Sequence, residues 1–459
     1  MDKNIFRAYD IRGDVRTQLT PETVLTIGRA LAAAHFAAGC TLAVGRDART
    51  HSPALAENLI KGLRMQGVNV VDLGQITTPM LYFTLFNRDF DGGVMVTGSH
   101  NPIHDNGLKI CRKTASFLGK DIQAIRDTAE HLPEAAPREG TYDELDIYSE
   151  YESAILSRIP PKHKLKIVID AGNGVAGPFA KSLFSHYASQ LIDLYCDPDG
   201  TFPNHHPDPS VAKNLADLQR AVLDHHADIG LAFDGDGDRL GVVDRNGKII
   251  AADHLIILFA REILSRVPGA VIIGDVKCSK FTFDDIAKRG GIPMMSKTGH
   301  ALIKAKIRET HAALAGELSG HFFFGDRWYG FDDALNAAAR ILEIATNASD
   351  KSLTDLLADL PPSFTTPEIR LDCPDNIKFE LAQAMYEKYS KQYPTNNLDG
   401  ARIDFPNGWA LIRASNTQPV IVMRVEADSD SALHEIQADI EREIDYYLTH
   451  HDIRTDLNR

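Results

Sequence analysis

Positive charge is what this chain has too little of to grip a polyanion. Across 459 residues, Asp and Glu outnumber Lys and Arg by 63 to 49, a formal net charge of −14, and no long basic block appears. That balance excludes a sequence-independent hold on nucleic acid. Any positive charge that holds an anionic ligand must therefore be local. Cysteine is also sparse: Cys40, Cys111, Cys196, Cys278 and Cys373 are odd in number, scattered, and form no C-x-x-C pair. Such spacing excludes a disulfide framework and a structural zinc site, and it fits a reduced, cytoplasmic protein. Long apolar runs are missing too. The most apolar long window, residues 30–44, is broken by His35, Gly39 and Thr41, so it reads as a helix running into a strand and no membrane contact is expected. The start, Met1-Asp2-Lys3-Asn4, lacks the basic and apolar stretches of a secretory leader. What is present is 44% hydrophobic and 24% charged residues, ample for several buried cores. The length alone implies about three domains.

Helix and strand alternate through the first third. Thr20-Pro21, Ser52-Pro53 and Thr78-Pro79 each put a hydroxyl before a proline, the order expected of a helix cap and first turn. Between them, residues 41–44 and 68–73 read as buried strands, which implies a largely parallel sheet covered by helices. A Pro-, Glu- and Ala-rich stretch at 132–140 reads as the first linker or its approach. A second α/β unit opens at residue 164, and a third follows Lys248. The openings Leu42-Ala-Val-Gly-Arg-Asp, Ile167-Val-Ile-Asp and Val271-Ile-Ile-Gly-Asp are alike, the mark of a repeated architecture. Pro361-Pro362 and Pro367 bracket the clearest linker. Beyond it, strands near Ala401, Trp409 and Val420, with helices from about Asn376 and Ser431, describe a small α+β domain.

Four loops carry chemistry. Thr97-Gly98-Ser99-His100-Asn101-Pro102 follows the apolar run 92–96 and leaves one hydroxyl at a strand end, where a nucleophile is both held and reachable. Alone, it also reads as an ordinary polar turn. Asp234-Gly235-Asp236-Gly237-Asp238-Arg239 places carboxylates on alternate residues, able to converge on one hard cation. An EF-hand is excluded, because Arg239 and Arg245 stand at its sixth and twelfth positions. Gly316-Glu317-Leu318-Ser319-Gly320-His321 offers partners for neighbouring sugar hydroxyls, or a plain polar turn. Arg413-Ala414-Ser415-Asn416-Thr417 suits a phosphate dianion. Two further features mislead. Gly172-Asn173-Gly174-Val175-Ala176-Gly177 matches a dinucleotide-binding pattern, yet nothing else points to hydride chemistry, so it reads as a tight strand-to-helix turn. The adjacent pairs His205-His206, His225-His226 and His450-His451 read as turn or solvated histidines, not metal ligands.

Taken in order, and with Phe6-Arg7-Ala8-Tyr9-Asp10-Ile11-Arg12-Gly13 at the start, these loops resemble the α-D-phosphohexomutase superfamily in its bacterial phosphomannomutase/phosphoglucomutase branch. The resemblance spans essentially the whole chain. It implies three similar mixed α/β sheet domains (1–147, 148–249 and 250–362) and a C-terminal α+β, TATA-binding-protein-like domain (363–459) around a central cleft. It also implies that Ser99 carries a phosphoryl group and is a further ligand, with Asp234, Asp236 and Asp238, of Mg2+. Glu317, Ser319 and His321 would read the sugar, while Arg413, Ser415, Asn416 and Thr417 would hold the non-reacting phosphate. Tyr9, Arg12, Lys109, Arg239, Lys277 and His300 match other active-site positions, and Lys109 resembles the general acid/base. Gly98 stands where many relatives have Ala, a change expected to be neutral.

The activity so implied is interconversion of hexose 1-phosphate and 6-phosphate, of mannose or glucose, through a hexose 1,6-bisphosphate that also serves as activator. Partners are then small phosphosugars, and the chain is expected as a monomer or weak dimer. Leu318 and Thr97 favour this branch over phosphoglucosamine mutase, which usually has Gln and often Ser at those places. A catalytically silent phosphosugar-binding protein is disfavoured because Ser99 and every metal carboxylate are present. An oxidoreductase rests on the Gly172 turn alone.

Overall fold

The computed structural model describes residues 1–348, 351–415 and 419–450. Four sheets organise them. The first three repeat one plan. In the first, strands Thr41–Arg46, Asn69–Gln75, Gly92–Val96 and Asp105–Arg112 lie in the order second, first, third, fourth. The first three run parallel and the fourth turns back antiparallel. The same order and directions recur in Leu165–Asp170, Ala188–Leu194, Ile229–Phe233 and Leu240–Asp244. They recur again in Val271–Asp275, Ile292–Ser296, Leu314–Gly316 and Phe322–Phe324. Strands Gly92–Val96 and Ile229–Phe233 are buried along their whole length, as parallel strands covered on both faces require.

The repeat decides where chemistry is placed. Chain direction reverses across the sheet between first and third strands, and the crevice beyond their carboxyl ends is where such folds bind ligands. In each copy, the turn from third to fourth strand carries one motif: Ser99 in the first, Asp234 to Asp238 in the second, Glu317 to His321 in the third.

The fourth sheet is six-stranded and antiparallel. Alternation along its strands separates two faces. Ala401, Ile403, Ala410, Ile412, Ile421, Met423 and Val425 pack under helices Lys378–Tyr389 and Asp430–His450 in a core of their own. Arg402, Trp409, Leu411 and Arg424 face the other way, onto the third domain. The Arg402 guanidinium lies 3.8 Å from the Trp409 ring centre and donates to the carbonyls of Val276 and Cys278. Arg424 donates to Lys277 O, and Ser279 Oγ donates to Glu426 at 2.6 Å. The first three domains, in contrast, share one continuous apolar cluster that runs from Phe83 through Tyr151 and Phe184 to Phe259 and Phe322.

Some local expectations change. Thr20 caps its helix, accepting from Thr23 N. Ser52 and Thr78 do not cap: they fall inside helices Ser52–Met65 and Thr78–Asn87, whose flanking residues are His51 and Thr77. Their hydroxyls are drawn instead to carboxylates, Asp47 and Asp236. Strand Tyr142–Glu144, past the 132–140 stretch, still pairs with Asn69–Gln75, and the Pro361–Pro367 linker contains strand Phe364–Thr365, paired to the fourth sheet. The Gly172 turn is tight, with Gly172 at φ 49° and Asn173 at φ 61°, and Val175 N donates to Gly235 O behind it. Among the described residues no helix is long and apolar enough to cross a membrane.

The joint between third and fourth domains rests on Trp409, which is 1% exposed. Trp409→Ala is expected to cost about 3–5 kcal/mol, read as a lower denaturant midpoint for the fourth domain in tryptophan-independent circular dichroism. An unchanged midpoint would show that the joint does not depend on this side chain.

Candidate active site

The site begins with a charge problem. Asp234, Asp236 and Asp238 are each 0% exposed, and one oxygen from each lies within 4.8 Å of the others. The glycines between them make this possible. A Cβ on Gly235 would stand 2.4 Å from Ser99 O, and Gly237 has φ 74°, so a side chain at either place is excluded or strained. Lys109, arriving from the antiparallel fourth strand of the first sheet, supplies the counter-charge. Its Nζ donates to Asp236 at 2.7 Å and Asp238 at 2.5 Å. Burial opposes the ammonium, but the two carboxylates outweigh it and hold the Lys109 pKa far above the ordinary value. Burial would likewise raise Asp236, yet Lys109 and the Thr78 hydroxyl, 2.6 Å away, hold it well below the usual carboxylate range. Asp234 goes the other way, raised by burial and by the charges of Asp238 and Asp236.

Ser99 is 2% exposed and holds the left-handed conformation, φ 49°. Its Oγ donates to Asp234 Oδ2 at 2.8 Å and lies 3.1 Å from His100 Nδ1. The first and second motifs therefore meet at one hydrogen bond. Asp236 Oδ1 and Asp238 Oδ1 have no protein donor among the described residues. Hard oxygen donors, clustered and incompletely satisfied, fit a divalent cation.

Cations and imidazoles close the ring. Arg12 donates to Asp10 at 2.6 Å and to Asn101 Oδ1 at 2.9 Å. Burial works against its charge, but Asp10 raises its pKa further above the ordinary value. Arg239 Nε donates to His321 Nε2 at 3.0 Å. Because a guanidinium only donates, His321 accepts there and carries its proton on Nδ1, 3.2 Å from Asp332 Oδ2 and 3.6 Å from Asp238 Oδ1. His300 opens helix His300–Thr310, edge-on to Tyr9 at 5.3 Å and 6.2 Å from the His321 ring. Burial, with the Lys304 ammonium nearby, pushes His300 well below the ordinary imidazole value. Neither of its ring nitrogens has a hydrogen-bond partner among the described residues, the Asp332 carboxylate lying 3.9 Å from Nδ1. Burial pushes Tyr9 up to about 12.

The third and fourth motifs are linked through one turn. Glu317 Oε1 accepts from Gly299 N at 2.7 Å, and burial raises its pKa. The neighbouring Thr298 N donates to Asp399 Oδ2 at 3.2 Å, and the same oxygen accepts from Arg413 Nε at 3.1 Å. Ser319 is half-buried in its turn and Ser415 is buried, donating its N–H to Val420 O. Lys277 Nζ lies 3.9 Å from Asp275 and 3.8 Å from Glu368. Asn416 and Thr417 lie outside the described residues.

Several residues here are not evident from the motifs. Asp332, 0% exposed, stands among Lys304 at 3.3 Å, His321 and His300. Burial would raise it, but Lys304 holds it well below the usual range. The signal was the pair Asp332-Asp333 ahead of a helix: Asp333 caps that helix, accepting from Asn336 N, so the second carboxylate was surplus to the cap. Thr78 was hidden by its resemblance to a cap. Gly98 is not neutral in this setting, since a Cβ there would stand 2.5 Å from Arg49 Nε and 2.8 Å from Asp105 O. Of the histidine pairs, His205 is ion-paired to Asp170 at 3.0 Å, and His206 Nε2 contacts His100 O. His451 lies outside the described residues.

Comparison with known proteins agrees with this geometry along the whole chain. Family models of phosphoglucomutase/phosphomannomutase match in series: α/β/α domain I over residues 3–136, domain II over 148–247, domain III over 251–364, and the C-terminal domain over 368–443. A phosphomannomutase/phosphoglucomutase of Pseudomonas aeruginosa is 46% identical over 439 residues, 95% of this chain and 94% of that protein. A phosphoglucomutase of Neisseria meningitidis is 44% identical over 440 residues, 95% of each. The crystal structure of a phosphoglucomutase/phosphomannomutase family protein from Burkholderia thailandensis superposes with a TM-score of 0.89 at 43% identity, covering 97% of both chains. A serine bonded to a buried aspartate triad, a lysine across that triad and a matching sequence along all four domains converge on one conclusion: the chain belongs to the phosphoglucomutase/phosphomannomutase family.

Proposed function

We propose that the protein interconverts hexose 1-phosphates and hexose 6-phosphates of glucose and mannose, with Ser99 as the phosphoryl carrier. The observation that supports this most directly is the 2.8 Å bond from Ser99 Oγ to Asp234, which puts the atom that would carry phosphorus against the carboxylate cluster. Mg2+ held by Asp234, Asp236, Asp238 and a phospho-Ser99 oxygen would neutralise charge on the transferring group. The phosphoserine itself brings about −1.5 to −2 charges at neutral pH, and Arg12, Arg239 and Lys277 are the cations placed to balance it. Phosphoryl transfer asks for this kind of positioning and neutralisation more than for covalent chemistry.

In the forward direction, the free 6-hydroxyl of a bound hexose 1-phosphate attacks phosphorus. The P–Oγ bond of phospho-Ser99 breaks and a P–O6 bond forms, giving hexose 1,6-bisphosphate. His300, neutral and with unpartnered ring nitrogens, accepts the hydroxyl proton, and the Lys109 ammonium donates one to Ser99 Oγ as it leaves. The bisphosphate then turns over within the site. Ser99 Oγ then attacks the 1-phosphoryl: a P–Oγ bond forms as the P–O1 bond breaks, Lys109 takes back the serine proton, His300 returns its proton to O1, and the hexose 6-phosphate departs. Added hexose 1,6-bisphosphate would activate by phosphorylating any bare Ser99. Glu317, Ser319 and His321 bind sugar hydroxyls, while Arg413 and Ser415, with Asn416 and Thr417, hold the phosphate that is not reacting. Tyr9 borders the sugar. Movement of the fourth domain about residues 361–363 would exclude water, which would otherwise take the phosphoryl.

Two measurements check this reading. Phosphorus NMR with Mg2+, trace glucose 1,6-bisphosphate and equal glucose, mannose and glucosamine 1-phosphates should show glucose and mannose 6-phosphates forming. Ser99→Ala should form none; full activity in that variant would overturn the serine mechanism, and conversion of glucosamine 1-phosphate alone would place the protein with a different substrate. Independently, a chelator should abolish turnover and Mg2+ restore it. Asp238→Asn should cut kcat by about 10²-fold or more while raising the Mg2+ concentration needed for half-maximal activity; an Asp238→Asn enzyme with an unchanged Mg2+ requirement would remove that carboxylate from the metal site.

A further inference from the structure

Asp47 and Arg49 make no bond to the Ser99 hydroxyl, yet Arg49 holds the Ser99 carbonyl directly and Asp47 holds the Ser99 N–H through Thr97. They stand at the carboxyl end of the first strand, Thr41–Arg46. The Arg49 guanidinium is fully buried and caps four carbonyls of the serine loop. One nitrogen donates to Pro102 O at 2.8 Å and Asp105 O at 2.9 Å, the other to Ser99 O at 2.9 Å and Asn101 O at 2.6 Å. Asp47 works on the amide side. Its Oδ2 accepts from Thr97 Oγ1 at 2.8 Å and Gly98 N at 3.0 Å, and its Oδ1 accepts from Ser52 Oγ at 2.5 Å and Arg49 N at 3.0 Å. The relay then continues, because Ser99 N donates to Thr97 Oγ1 at 2.8 Å.

These bonds answer a specific need. Ser99 is a non-glycine residue at φ 49°, and such a conformation persists only where its surroundings over-determine it. The two groups that fix φ and ψ of Ser99, its own N–H and C=O, are tied to Thr97 and Arg49. Among the described residues neither group makes a backbone-to-backbone bond. Gly98 belongs to the same arrangement: the lack of a side chain there lets the guanidinium lie against the loop. The motif is also repeated. Asp170 and Asp275, at the same strand end in the second and third sheets, each accept an N–H from the residue two further on, Gly172 and Lys277. Only the first copy carries an arginine at that second position.

We propose that Asp47 and Arg49 are positioning residues for phosphoryl transfer: they lock Ser99 in its left-handed conformation so that Oγ points at Asp234. The proposal rests on the mutase reading above. A planar guanidinium is required because it alone spreads donors over four carbonyls, which an ammonium at a single point does not. A hydroxyl is required at 97, whichever of Thr or Ser supplies it.

The test uses the full-length chain, glucose 1-phosphate as substrate and glucose 1,6-bisphosphate as phosphoryl source. Arg49→Lys and Thr97→Val are expected to lower kcat about 10–100-fold with KM within twofold of the parent. Amide hydrogen exchange should quicken at least tenfold in residues 97–105 and stay unchanged in helix Pro21–His35. Thr97→Ser should restore kcat to within threefold. Unchanged kcat in Arg49→Lys and Thr97→Val, or a Thr97→Ser variant as impaired as Thr97→Val, would overturn the proposal. The exchange measurement also stands apart from turnover. If the parent chain shows no mutase activity, the function assigned above fails, while exchange confined to 97–105 still supports the lock and unaltered exchange refutes it.

Discussion

Three carboxylates buried at alternate positions of one turn cannot coexist without counter-charge, and the arrangement of this molecule follows from how that charge is supplied. Two fully desolvated carboxylates a few ångströms apart repel strongly in a low-dielectric interior. Lys109 answers Asp236 and Asp238 directly, and the remaining unpartnered oxygens are left for a cation. The second domain's loop is thus incomplete without the first domain's strand. That dependence explains why the first three domains share one apolar cluster: the separation between Lys109 and the triad has to be held rigidly, and close-packed interiors hold distances well.

Repetition gives the site its economy. Three copies of a sheet with the same strand order put three different turns at equivalent positions. A buried hydroxyl, a metal-type carboxylate triad and a polar Glu-x-Ser-x-His turn are variations on one place in the fold. The conserved plan extends to the first strand of each copy, where Asp47, Asp170 and Asp275 accept an N–H two residues on. What differs is the second residue, Arg49, Gly172 or Lys277.

Much of this was legible in the sequence, and the failures have a common cause. The motif loops and strands stood out because local residue types and alternation identify them. Thr20, Ser52 and Thr78 look alike as helix caps, yet only Thr20 is one. The other two hydroxyls are taken by Asp47 and Asp236, carboxylates five and 158 residues away whose need for donors outweighs a capping bond. Propensity is a weak prior against a buried charge. Arg49 was illegible for the same reason, acting on carbonyls about fifty residues on, and the Asp332-Asp333 pair marked Asp332 as surplus to a cap without revealing its partners, Lys304 and two histidines. Gly98 looked neutral because a clash with Arg49 exists only once the chain is folded.

The fourth domain has a different relation to the rest, and its sheet shows why. One face is an ordinary apolar core beneath two helices. The other carries Arg402 and Arg424, which hold the third domain by donating to backbone carbonyls at 276–278, and Trp409, which packs against Val276. Carbonyls oriented by a turn are acceptors over a range of angles, so a joint of this kind tolerates rotation better than interdigitated side chains do. At the far end of that face Arg413 reaches Asp399, and Asp399 reaches the turn that also binds Glu317. A rotation about the Trp409 joint therefore changes the distance between the residues assigned to phosphate and those assigned to sugar, while Ser99, Lys109 and the carboxylates keep theirs. Under the function proposed above, one sugar phosphate would be taken in two orientations, and that division would serve it: one half fixed around the reacting phosphorus, the other free to adjust to whichever end of the substrate it meets.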